Sequence, residues 1–313
     1  MSDKTPAKPT RGFQRALVFI VLALIWLLML AAVVPPGAQN QASFPSSVLR
    51  GGQLYVAWDQ VTRTNTSTLQ QSPLWPVDTP NQVPPIFTLR CVNCHGWDYR
   101  GSNGKTLGAI FRAQGYPGLL KYTFQPVETI LPILDGRFDP AHDFSAYLSE
   151  EDLQDLAEFI SKGLVIPDLV ADPETYEVQG TPERGREPYI EFCSACHGFE
   201  GERINLATEQ NPAYLGDVAW NNPWLMTHII RFGHISAQVP AASQLGISFS
   251  QQLDIAAFTQ TLPDADFITG PDYEDIDLSA QANTGNLVYG AVAITALVYL
   301  ATIITLWREK KQH

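Results

Sequence analysis

The chain has 313 residues, which suggests about two domains. Its formal net charge is −12, which argues against nucleic acid as a partner.

Residues 1–15 form a basic tail with Lys4, Lys8, Arg11 and Arg15. Residues 16–34 follow as an uninterrupted apolar run. At ~1.5 Å per residue the run matches the ~30 Å hydrocarbon core of a bilayer. It exceeds the ~7–15 residues of a signal-peptide core, and no small-x-small cleavage site follows. It therefore reads as a retained transmembrane helix. A first domain is expected over 46–165. Gly51 and Tyr55 lie in its opening helix, and an inserted loop rich in Pro, Thr, Gln and Asn runs from about 60 to 90.

The insertion ends at Cys91-Val92-Asn93-Cys94-His95, and the same pattern returns at Cys193-Ser194-Ala195-Cys196-His197. Cys-x-x-Cys-His is the attachment site of a c-type haem. Its two thiols bond to the two vinyl groups of one porphyrin, and the histidine lies under the iron as proximal ligand. A zinc site or a redox dithiol accounts for the cysteines but not for a histidine after both pairs. The two motifs use all four cysteines. Two covalently attached haems c are therefore expected, on Cys91, Cys94 and His95 and on Cys193, Cys196 and His197.

The surroundings of the motifs also repeat. Pro126 to Gly136 and Pro223 to Gly233 both read as a short helix started by proline and stopped by glycine. Ser149 and Ser248 each stand as an N-cap before a closing amphipathic helix. Gly185 and Tyr189 repeat the spacing of Gly51 and Tyr55 and lead straight into Cys193. Residues 166–180 are expected to link this first domain to a second over 181–262. An acidic linker follows over 263–286, then an apolar run over 287–307 and a basic tail over 308–313. Basic residues flank the outer end of both apolar runs, so both termini are expected in the cytoplasm. The part between the runs holds 13 Lys+Arg against 30 Asp+Glu, near −17, a charge that reads mainly as a solvated surface and could also steer a basic partner.

This pattern resembles tandem class I cytochrome c domains of the membrane-anchored dihaem group. The resemblance implies an all-α fold, two such domains between an N-terminal and a C-terminal transmembrane helix. It also implies a distal iron ligand, commonly methionine, in the loop after each middle helix. The exported part of the first half has no methionine, and His142 lies six residues after Gly136, so His95 and His142 are the expected ligands there. In the second half Val239 takes the corresponding place. Met226 and His234 are the leading substitutes, followed by an open iron and by His228.

The expected function is electron transfer on the periplasmic face of the bacterial inner membrane. The chain would be a subunit of, or shuttle for, a respiratory or photosynthetic complex. Its partners would be the membrane and redox proteins, and no substrate chemistry of its own is expected. A haem enzyme using an open second iron is the alternative.

Overall fold

The computed structural model describes residues 45–76 and 83–270, together with Leu22. Its helices, in chain order, are α1 (Ser46–Thr62), α2 (Pro85–Thr88), α3 (Cys91–His95), α4 (Ala109–Arg112), α5 (Val127–Leu134), α6 (Glu150–Lys162), α7 (Pro182–Phe192), α8 (Ser194–His197), α9 (Leu215–Asn221), α10 (Pro223–Phe232), α11 (Phe249–Thr259) and α12 (Ala265–Ile268). Among the described residues there is no strand, only isolated bridges. The chain forms two compact units. Among the described residues, one holds those up to Pro167 together with Thr227–Gln252, and the other holds Asp168–Met226 with those from Leu253 to Gly270. The division falls inside α10 and α11.

The expectation of two transmembrane helices is corrected. No helix among the described residues is long and apolar enough to cross a membrane. The longest, α1, has 17 residues, includes Arg50, Gln53, Asp59 and Gln60, and is broken at Ala57. A span needs about 20 predominantly apolar residues. The runs 16–34 and 287–307 lie outside the described residues, Leu22 apart, as do both tails and residues 77–82 of the insertion. Of the acidic linker, residues 263–270 are described. There Asp264 caps α12 by accepting a hydrogen bond from the Phe267 N–H at 2.9 Å.

In the first unit α1 packs against α6. The two backbones meet at Gly51, where a Cβ would lie 2.1 Å from the Asp155 carbonyl oxygen. Only glycine allows that approach. Arg50 pairs with Asp155 at 2.8 Å across the same crossing and also contacts Asp152. Ser149 and Asp152 form the reciprocal cap that starts α6. Tyr55, Trp58 and Phe159 are fully buried in this core. The segment Thr227–Gln252 belongs to the same core. The Phe232 ring fills the space beside Gly52, where a Cβ would be 2.6 Å from it. Ser248 and Gln251 cap the start of α11 reciprocally.

The second unit repeats the crossing. A Cβ on Gly185 of α7 would lie 1.9 Å from the Asp254 carbonyl oxygen of α11. Arg184 pairs with the Asp254 carboxylate at 3.0 Å. Tyr189 packs on Phe258 with ring centres 5.1 Å apart, as Tyr55 packs on Phe159 at 5.4 Å.

Candidate haem site

α1 and α6 form one wall of a cavity of about 570 Å³ in the first unit, and Cys91, Cys94, His95 and His142 line it. Its size is that of a cofactor pocket. α3 places the three motif residues. Gly96 ends α3 at φ 79°, and its carbonyl accepts a hydrogen bond from the buried Tyr55 hydroxyl at 2.6 Å. The equivalent turn in the second unit is built the same way. Gly198 has φ 86°, and its carbonyl accepts from the Tyr189 hydroxyl at 2.8 Å.

His95 and His142 face each other with ring centres 6.2 Å apart and planes at 77°. His95 Nδ1 lies 2.9 Å from the Pro117 carbonyl oxygen, and His142 Nδ1 lies 2.8 Å from the Ile133 carbonyl oxygen. A carbonyl oxygen only accepts, so both Nδ1 atoms carry the proton. Each Nε2 then keeps its lone pair, which is the tautomer that binds a metal, with the backing bond that orients metal-bound histidines. Atoms of a ring with ~1.3 Å bonds lie about 1.1 Å from its centre. With metal–nitrogen bonds of about 2.0 Å, one metal ion between two imidazoles separates their centres by about 6.2 Å. The spacing of the two ring centres matches that of two imidazoles on one metal ion. Among the described residues there is no group of three or more His, Cys, Asp or Glu side chains able to hold a metal. A porphyrin bound here would supply further ligands through its four nitrogens.

Burial raises the Cys91 thiol to about 12 and the Cys94 thiol to about 11. Reactive dithiols show the opposite shift. Burial also lowers His95 to about 4, which keeps the ring neutral and available as a ligand. The described part of the insertion reaches the cavity, which Ser72, Pro73 and Leu74 line. Tyr116 donates its hydroxyl hydrogen to the Leu74 carbonyl at 2.7 Å, and the Ser72 N–H donates to Thr88 Oγ1 at 2.8 Å. The Trp75 ring packs on Phe111 with centres 4.8 Å apart. The composition of the insertion does not indicate this strap.

In the second unit α8 carries Cys196 and His197, with Cys193 as its N-cap. Burial raises the Cys193 thiol to about 11 and lowers His197. His197 Nδ1 is buried without a hydrogen-bond partner among the described residues, unlike its counterpart in His95. Met226 belongs to this unit and is buried. His234 belongs to the first unit, where it lies beside Gln53, Gln60 and Val61 of α1. Its backbone is bonded in both directions to Val239. His228 is also in the first unit and uses both ring nitrogens. Nδ1 accepts from the Tyr99 hydroxyl at 2.7 Å, and Nε2 donates to the Gly52 carbonyl at 3.0 Å. This leaves it no lone pair for a metal.

A helical unit with cysteines and two opposed, carbonyl-backed histidines around one cavity has the build of a haem-binding electron-transfer domain. Residues 84–163 match the family model described as Cytochrome c. The match supports a cytochrome c domain in this segment, and with it a covalently bound haem c and haem-based electron transfer. No curated protein matches the chain.

Proposed function

We propose that the chain is a dihaem c-type cytochrome that carries electrons on the exported side of a bacterial cytoplasmic membrane. It would serve a respiratory or photosynthetic complex as subunit or shuttle and have no substrate chemistry of its own. The observation that carries this reading is the His95–His142 pair, spaced for one iron and backed by carbonyls on both sides. When bound, haem supplies an iron that changes oxidation state by one electron. Cys91 and Cys94 would tether the first haem, and His95 and His142 would ligate its iron. Two firmly held imidazoles exclude small molecules from the metal and limit movement between oxidation states. They also set a lower potential than methionine–histidine ligation would. Cys193, Cys196 and His197 hold the second haem. The repeated glycine crossing, tyrosine bond and helix pairing support a second copy of the same binding unit.

A second reading, a haem enzyme acting at the second iron, draws on one difference. The Ile133 carbonyl receives His142 in the first half, whereas its counterpart, Ile230, receives the Ala242 N–H at 2.8 Å. The backing carbonyl of the first half thus serves backbone in the second, and the sixth position there falls to Met226, to His234 or to an open iron. Low-temperature electron paramagnetic resonance of the oxidised protein tests the first site, with carbon monoxide added after reduction. The proposal expects a low-spin signal from a bis-histidine haem, and a carbon monoxide adduct at the first haem only after His142→Ala. Carbon monoxide binding at the first haem of the unaltered protein would contradict it.

A further inference from the structure

Phe138 lies on the loop that presents His142, and its side chain is 77 % exposed. The loop is held firmly. Its neck is closed by an antiparallel bridge between Asp135 and Asp143, and the Phe144 N–H donates to the Leu134 carbonyl at 2.9 Å. Gly136 turns the chain at φ 74°. The Phe138 N–H donates to the Pro132 carbonyl at 3.0 Å, and the His142 N–H donates to the Asp139 carbonyl at 2.9 Å. The Asp139 carboxylate accepts from the Ala141 N–H at 2.9 Å. A large apolar ring is thus held in water by a fixed backbone rather than by a frayed end. The inner side of the same loop, Asp139 to Asp143, lines the cavity.

The loop is acidic. Asp139 and Asp143 are exposed, and the loop's one Lys or Arg side chain, Arg137, is paired with Asp135 at 2.6 Å. Asp139 and Asp143 accept hydrogen bonds from neutral groups of the loop, which leaves their charge in place. An aromatic ring within a rim of one charge sign is the layout of a protein contact. Electron carriers typically use small, transient contacts of this kind, guided by opposite charge. Phe124 is more exposed, at 86 %, but it stands in the turn before α5, whose residues Thr123 to Pro126 do not line the cavity.

We propose that the loop from Asp135 to Asp143 is the docking surface for a basic electron-carrying protein, with Phe138 as its apolar centre. This rests on the electron-transfer reading above. The test is stopped-flow oxidation of the reduced full chain by a lysine-rich soluble cytochrome c, across a range of salt concentrations. The docking surface requires a rate that falls as salt rises. Phe138→Ser should lower the low-salt rate about five-fold or more, while Phe124→Ser leaves it within about two-fold. Both variants must keep the visible spectrum of the parent. Equal rates for Phe138→Ser and the parent, equal losses in both variants, or a rate indifferent to salt would each overturn the proposal. Ferricyanide separates this inference from the one beneath it. Oxidation by ferricyanide without oxidation by the basic cytochrome overturns the docking surface alone. Failure with both oxidants overturns the electron-transfer reading as well.

Discussion

The two Cys-x-x-Cys-His regions share a scaffold and differ in how their histidines are supported. In both, a glycine lets the helix before the motif touch a later helix, at Gly51 against Asp155 and at Gly185 against Asp254. In both, an arginine next to that glycine pairs with the facing aspartate, and a tyrosine donates to the glycine carbonyl after the motif. The first region adds a Pro117 carbonyl behind His95 and a second histidine held by Ile133. The second region leaves His197 Nδ1 unbonded and ties the Ile230 carbonyl to backbone. On the dihaem reading, attachment of each cofactor and control of its iron would rest on different residues.

Four experiments break or sharpen this comparison. The largest effect is all-or-none. Removing Cys91 with Cys94, or Cys193 with Cys196, should each delete one covalent haem from the intact mass. A second pair that costs no haem would end the parallel between the regions. Next, Gly51→Ala and Gly185→Ala each force a Cβ into a facing carbonyl oxygen. Each should cost about 3 kcal/mol or more in denaturant unfolding, and a loss in only one would show that the crossings are not equivalent. Tyr55→Phe and Tyr189→Phe leave a glycine carbonyl without its donor and should cost about 1–3 kcal/mol each by the same measurement.

The fourth experiment concerns a residue without a twin. His228 stands where α5 has Leu131. Burial lowers it to about 3, opposed by its bond to the Gly52 carbonyl and helped by the nearby charges of Arg231 and His234. The unfolded chain protonates this ring near 6.5, and the folded chain does so only near 3. Between those values the unfolded state binds more protons, so stability falls as pH falls, by up to about 1.4 kcal/mol per pH unit. His228→Gln should flatten the slope of unfolding free energy against pH in that window. An unchanged slope would show that His228 is not held neutral.

Much of this was legible in the sequence. The motifs, the matched Gly51–Tyr55 and Gly185–Tyr189 spacings and the serine caps are local signals, and the matching helices form where those signals lie. His142 stood out as the remaining histidine of the first half, and the fold brings it opposite His95. What sequence spacing does not carry is decided by distant contacts. The carbonyls of Pro117 and Ile133 are backbone groups with no signature of their own. The strap from Ser72 to Leu74 is placed by Tyr116 and Thr88, which lie well beyond it in the chain. The grouping of Thr227–Gln252 with the first unit follows from Phe232 beside Gly52 and from the two bonds of His228. Apolar length suggested two membrane spans, and no helix among the described residues provides one.

The most direct test of the central claim is the ratio of haem to protein, read from the pyridine haemochrome spectrum of the purified full chain. Two haems c per chain are predicted, because each motif sits on the same glycine-crossed, tyrosine-bonded scaffold. One haem per chain would contradict the account. It would leave the second unit a structural copy without a cofactor.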